Sequence, residues 1–512
     1  LPAPDPEAIV NAILFPALLL VCGADDKAAE PKLPVGRETT FVTGPLDRNG
    51  YIDYEAALND RLGKGITPDR NAVVALWKAF GPPPAGEKDL PPEYVRRLGI
   101  DRPPPEGDYF IGLSQYLKTR TRLDPGTVQT VLDSQGRTAL RPWKAADHPE
   151  VAAWLRANDK PLAAVVVAPR RPAYFNPLVS PRGPDEPSSL IGCRLHLVPQ
   201  CRAATDALAS RAMLGLREKK YDEAWRDLLA CHRLGRLLTR GATLIEALVG
   251  VAVHRLAAAA TLAYLDRADL TARQVLDHLK DLHALPPLAR MADTVDLGDR
   301  FQCLDSIQSL RHGASAGKDQ TVLGAVDWGF VLRAANARYD RIAAAMRIED
   351  RAAREKEIDT LDREWEAERK NGPDLKKLLG GTEPEREVAQ AIGETLTALL
   401  GPAFRKCQVK ADEAVQIERN LDVAFALAAY RADNGRYPQR LADLGTKYLA
   451  TVPADLFNGQ PLIYKPVEKG EKGYLFYSVG PNGKDDGGRW VNDDPPGDDP
   501  GVRMPLPELN KK

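Results

Sequence analysis

The chain reads as a mainly α protein, α+β overall: a helical N-terminal region and a central helix-hairpin scaffold, followed by a small C-terminal domain of helix plus antiparallel sheet. Three observations predict this. Alanine- and leucine-rich segments at helical spacing fill Pro199 to Leu285. Aromatic residues make up only 6% of the chain, which disfavours an all-β design. Alternating aromatic and β-branched runs are confined to Pro461 to Val479, near the C-terminus.

A length of 512 residues with 44% hydrophobic content supports about three domains with real cores. They are placed at 25–190, 191–375 and 376–512, after a signal-like segment at 1–24. A formal net charge of -1 gives no basic stripe for DNA or RNA, so nucleic-acid binding is not expected.

Ala8 to Ala24 is an apolar run of secretory h-region length, too short for a comfortable span and interrupted by Asn11 and Pro16. It predicts export to the periplasm or cell surface, with cleavage after Ala24 and no transmembrane span in the mature chain. Leu19-Leu20-Val21-Cys22 resembles a lipobox and offers Cys22 as a lipid anchor. The remaining cysteines, Cys193, Cys201, Cys231, Cys303 and Cys407, are scattered and odd in number, so they form no disulfide framework; export would permit one bridge, with Cys193–Cys201 as a candidate.

In the N-terminal region, Thr39 to Val42 predicts a short strand and Pro45 to Gly50 a turn. Asp47 to Asp53 is only a fragment of a calcium loop, because it lacks EF-hand ligand spacing. Tyr54 to Leu62 predicts a helix. Thr67-Pro68-Asp69 has the pattern of an N-cap, first-turn proline and first-turn acid for a second, stopped at Gly81. Phe110 to Thr119 and Val151 to Ala157 add short helices, and Leu162 to Ala168 fits strand or helix.

The central scaffold opens with Ala212-Met213-Leu214-Gly215 and Tyr221 to Leu229, which resemble one tetratricopeptide-type hairpin whose small residues let two helices nest. A single such unit implies a groove, and a groove implies a protein partner. Gly241 to Val249 resembles a prepilin cleavage signature, yet 240 residues precede it and His254-Arg255 interrupts the apolar stretch, so an internal core helix over Gly241 to Leu265 is expected. Glu246 and His254 lie on one face of that helix and are the weak catalytic candidates.

Arg290 to Arg311 predicts a helix with Phe301, Leu304, Ile307 and Leu310 inward, and His312 to Gly317 a loop. Leu332, Ala335, Tyr339, Ile342 and Met346, resumed by Ile358, Leu361 and Trp365, give a stripe for a long charged helix or an antiparallel pair. Asn371-Gly372-Pro373 ends it, and Val388 to Leu400 begins the last module.

There, Val423, Leu427 and Tyr430 mark a close-packing helix that Asn434-Gly435 terminates. Leu441 to Leu449 gives a short second helix, and Pro461 to Tyr464 with Gly473 to Val479 a hairpin across the loop Glu468 to Lys472. The order AFALAAYRADNGRYP, YLATVPADLFNGQPLIY, GYLFYSVGPNGKDDGG resembles the globular half of a type II secretion major pseudopilin. The resemblance implies a pilin-like head and a calcium-binding C-terminal loop. It does not carry the filament-forming spine, since Lys410 to Asn420 is polar and charged where that spine would stand.

Asp485, Asp486, Asp493 and Asp494 are the candidate calcium ligands, hard oxygens in a glycine-rich loop. Asp498 and Asp499 read as a solvated tail. The seven histidines form no HExxH pair, and Cys193-Arg194-Leu195-His196 is an isolated fragment of zinc-like spacing. No GxSxG elbow at a strand-to-helix turn, P-loop or GxGxxG following a strand is recognised. The expected function is therefore non-catalytic binding or structure at the cell envelope, through the groove or the pseudopilin-like tail. The alternative is a hydrolase of envelope polymers with a site between domains.

Overall fold

The computed structural model describes residues 31–83, 90–182, 186–316, 326–371, 402–466, 473–491 and 493–509. The signal-like segment with Cys22, the stretch Val388 to Leu400, the Gly372-Pro373 stop and the loop Glu468 to Lys472 lie outside these residues.

The predicted class holds: helices dominate, and a three-stranded antiparallel sheet closes the C-terminal part. In the N-terminal region α1 (Tyr54–Gly63) is capped by Asp53, whose carboxylate accepts from Ala56 N. The strand expected over Thr39 to Val42 does not form. Thr39 Oγ1 donates to Pro34 O and Thr40 Oγ1 to Val42 O, while Asn336 donates to Thr39 O and Tyr54 Oη to Thr40 O. Side chains thus occupy the backbone groups that a ladder would need.

Helix α2 (Ala72–Phe80) starts later than Thr67-Pro68 suggests. Asn71 is the N-cap, accepting from Val73 N and also bonding Phe175 through both amide atoms, so a tertiary contact selects the start. After α3 (Pro92–Leu98) and α4 (Leu113–Arg120) comes α5 (Pro125–Leu140), a helix that apolar spacing does not predict, capped by Asp124 through Gly126 N and Thr127 N. α6 (Pro149–Ala157) and α7 (Asp159–Val167) follow, settling Leu162 to Val167 as helix.

The scaffold is built from α8 (Leu197–Arg217), α9 (Tyr221–Leu238), α10 (Leu244–Arg267) and α11 (Ala272–His283). The hairpin α8–α9 stands where it was expected. A closer helix approach than that of the hairpin, however, is between Gly235 of α9 and Gly250 of α10: a Cβ on Gly250 would lie 2.6 Å from Thr239 N and 2.8 Å from Gly235 O. At Gly215 the nearest atoms to such a Cβ are 3.6 Å away or more, an ordinary contact.

A short α12 (Met291–Thr294) passes through the π-turn Val295–Asp299 into α13 (Arg300–Ala316). Phe301, Leu304 and Ile307 are buried as expected, but Leu310 is 44% exposed, because successive steps of three on a 3.6-residue helix turn it to roughly the opposite side from Phe301. The helix also continues to Ala316, through most of the expected loop.

α14 (Trp328–Met346) and α15 (Arg351–Asn371) form an antiparallel pair, with Arg338 bonded to Glu368 and Arg341 to Glu364 along its side. Its stripe, including Tyr339, Ile342, Ile358 and Trp365, is buried against Phe404 and Cys407 of α16 (Pro402–Asn434). α16 is one continuous helix whose polar first half is turned inward: Gln408, Asp412, Glu413, Gln416 and Asn420 are all buried. Arg354 of α15 grips Asp412 with two bonds of 2.7 and 2.8 Å from one nitrogen, and Asn420 donates to Pro500 O. The second half of α16 packs on α10 and α11.

After α17 (Gly445–Tyr448), β1 (Ile463–Pro466) pairs with β2 (Tyr474–Tyr477) in the register Ile463↔Tyr477. β3 (Gly501–Met504), where composition predicts a solvated tail, pairs with the other edge of β2, Tyr474 opposite Met504. Val502 and Met504 point inward and Gly501 and Arg503 outward. One apolar core runs from Ala72 in α2 through α8–α11 and α16 to Met504 in β3, with members on both sides of the expected boundaries at 190/191 and 375/376.

Candidate metal centre

Glu246 and His254 share a face of α10 but do not meet. Glu246 is fully buried; its Oε1 accepts from Tyr174 Oη at 2.9 Å and Asn176 Nδ2 at 2.8 Å, and its Oε2 closes a capping box with Thr243. His254 is equally buried and packs edge-to-face on His232, ring centroids 5.6 Å apart. Burial, with the Arg236 charge, pushes its pKa down to about 3, and both ring nitrogens are buried without a hydrogen-bond partner. A buried glutamate at a helix start and a neutral core histidine two turns on form no acid-base pair. Glu246 also supplies the physical reason for the prepilin-like spacing: it caps α10. That helix is the one described helix with the length and hydropathy of a membrane span, and 61% of its apolar window is buried inside the protein.

The loop between β2 and β3 is different. Asp486, Asp498 and Asp499 each offer an oxygen within 4.8 Å of the others. Gly480, at φ +67, lets the chain pass Asp498 O so closely that a Cβ would sit 2.1 Å from it. Asn482 N donates to Asp498 Oδ2 at 2.9 Å and Gly488 N to Asp499 Oδ2 at 2.8 Å, which fixes both carboxylates. Their remaining oxygens, Asp498 Oδ1 and Asp499 Oδ1, are buried without a hydrogen-bond donor. Burial and neighbouring carboxylates raise both groups, Asp499 to about 6, while Asn482 holds Asp486 below the usual range.

Of the four ligands expected from sequence, only Asp486 is in this cluster. Asp485 Oδ1 accepts from Tyr477 Oη and Gly487 N, Asp493 Oδ2 accepts from Trp490 N, and Asp494 is exposed beside Pro495. Asp498 and Asp499, the latter fully buried, take their place because β3 draws the chain back across the loop. The signal available in sequence was the brief alternation of Val502 and Met504, whose pairing with β2 brings the residues before it inside. Elsewhere, Asp47 Oδ1 accepts from Asn49 N and Tyr51 N and so closes its own turn. The five described cysteines are unbridged, and Cys193 and His196 belong to no group of metal-binding geometry among the described residues.

No protein-family model, curated protein or solved structure matches the chain. Three carboxylates with two orphaned buried oxygens form a hard, anionic donor set that fits a divalent cation, with carbonyls or water needed to complete its shell.

Proposed function

We propose that the chain is an exported envelope protein with a non-catalytic binding or structural role, docking another protein through its helical scaffold or its pseudopilin-like tail. In this reading a divalent cation, calcium by ligand chemistry, organises the β2–β3 loop of that tail. The reading is carried by Asp498 Oδ1 and Asp499 Oδ1, two buried acceptors in one loop with no donor to satisfy them. All-oxygen ligands favour Ca²⁺ over softer metals, and a loop held by backbone bonds tolerates its larger, irregular shell better than the strict octahedron of Mg²⁺.

Calorimetry on the whole chain tests this, since β3 and α16 share their core with the scaffold. Saturable heat with CaCl₂ that disappears in Asp499→Asn is expected; no heat at about 1 mM, a weak extracellular affinity, would remove the cation. Export is checked by fractionation with N-terminal sequencing, where an uncleaved cytosolic chain counts against it. A partner is checked by cross-linking from the tail in the native envelope, with and without chelator.

A second reading, hydrolysis of an envelope polymer, is favoured by one observation. A cleft of about 630 Å³ between Asp47–Glu55, α3 and Val179–Arg182 has Glu55 on its wall, accepting from Ser180 Oγ and N, with Arg182 between Asp53 and Glu55. Asp305 behind it is pushed up to about 7 by burial, and Glu55 is also raised, mainly by burial. Release of soluble fragments from purified envelope polysaccharide or peptidoglycan, abolished in Glu55→Gln, is the expected sign. Absence of release by the parent chain would end this reading.

A further inference from the structure

A cavity of about 830 Å³ opens beside α2 and α3, remote in sequence from the acidic loop and separate from the Glu55 cleft. Its size falls within the range of small-molecule sites. Its walls are apolar and held in place. Tyr109 stands on one side, its ring seated where a Cβ on Gly81 would come within 2.3 Å and one on Gly107 within 2.7 Å, and its hydroxyl donates to Pro104 O at 2.9 Å. Only glycine at both positions leaves room for that ring, so the segment carrying Pro103 and Pro104 is fixed as a wall. Ile100 and the edge of Trp77, whose indole nitrogen donates to Tyr94 Oη at 2.7 Å, complete the apolar surface.

The rim is cationic in a chain of formal net charge -1. Lys78, Arg96, Arg102 and Arg171 face Asp69 and Asp101 across it. Arg96 is neutralised by Glu93, bonded at 2.6 Å through two nitrogens. Arg171 is anchored differently: its Nη1 donates to the carbonyls of Pro68 at 2.8 Å and Asn71 at 3.1 Å. Neutral carbonyls orient the guanidinium without cancelling its charge and leave other N–H groups for a ligand. Lys78 is exposed, and neither it nor Arg171 forms an ion pair with a described residue. Asp69 is held below its ordinary pKa by Thr67 first, with Arg171 and Arg70 adding to the effect.

We propose that this cavity binds an anionic small molecule, its phosphate or carboxylate group held by Lys78 and Arg171 and its apolar ring or chain lying against Ile100, Tyr109 and the two prolines. The anchored arginine supplies directional bonds, and the lysine a mobile point charge. The apolar wall makes the site prefer an organic anion to a bare one.

Calorimetry on the full chain with phenyl phosphate, benzoate and inorganic phosphate tests the proposal. Phenyl phosphate or benzoate should bind at least about tenfold more tightly than inorganic phosphate, and whichever binds names the anionic group. Lys78→Glu, at an exposed position, should weaken it about tenfold or more with melting temperature unchanged, and Arg171→Gln should weaken it as well. No saturable heat with any of the three probes at about 10 mM overturns the proposal, as does binding unaltered in both variants.

Discussion

Asp499 shows how one side chain connects fold and proposed cation. Its folded pKa is raised, from 3.8 to about 6, so the folded state holds a proton that the unfolded chain releases. A raised acid contributes stability at low pH and loses it as pH climbs through that window. Without calcium, unfolding free energy from this group should fall between pH 4 and 6; with calcium, which takes the proton's place, that decline should vanish in urea titrations. Asp499→Asn removes the buried charge while keeping an acceptor for Gly488 N. Its metal-free melting temperature should match or exceed the parent's, and its calcium-dependent rise should be lost. Sequence made Asp486 legible as a ligand because an acid in a glycine-rich loop is a local signal. It could not distinguish Asp485 and Asp493, consumed by turn hydrogen bonds, from Asp498 and Asp499, turned inward by a strand pairing formed with residues more than twenty positions away.

Helix crossings carry the next scale. Gly235 and Gly250 let α9 and α10 touch backbone to backbone, so Gly250→Ala should destabilise by about 1 to 3 kcal/mol through overpacking. Gly215→Ala, on the neighbouring α8, has room for its methyl group and should stabilise by up to about 1 kcal/mol from helix propensity. Equal effects in chemical denaturation would contradict this account of the crossing. Arg354 and Asp412 join α15 to α16 with both side chains under a tenth exposed. Asp412→Ala leaves that guanidinium buried beside Arg351 with little compensation and should cost about 3 to 5 kcal/mol. The helices of the scaffold were legible because their apolar spacing is periodic. α5 was missed because so little of it is buried, Thr138 and Ala139 alone among its residues; its Asp124-Pro125 cap was the readable sign. β3 was missed for the opposite reason: four residues beside a run of aspartates and prolines show alternation too briefly to outweigh composition.

Across the molecule, buried ionisable groups oppose one another as pH changes. Asp305, raised to about 7, and Asp299, raised to about 6 by burial, lose stability as pH rises from the unfolded value of 3.8. His254, lowered to about 3, acts in reverse: its contribution is complete above the unfolded value of 6.5 and is lost as pH falls toward 3. Asp305→Asn should therefore lose less stability between pH 5 and pH 8 than the parent chain, measured by urea unfolding at both values; an unchanged difference would show that Asp305 does not hold its proton in the fold. The continuous core also couples the C-terminal module to the scaffold, as Asn420 of α16 holding Pro500 just before β3 illustrates. A polypeptide cut short before Gly501, by nicking or by interrupted synthesis, would leave the aromatic strand Tyr474–Tyr477 with an open flank. Bare flanks of that kind recruit other strands, so such fragments should clump where the intact protein stays dispersed.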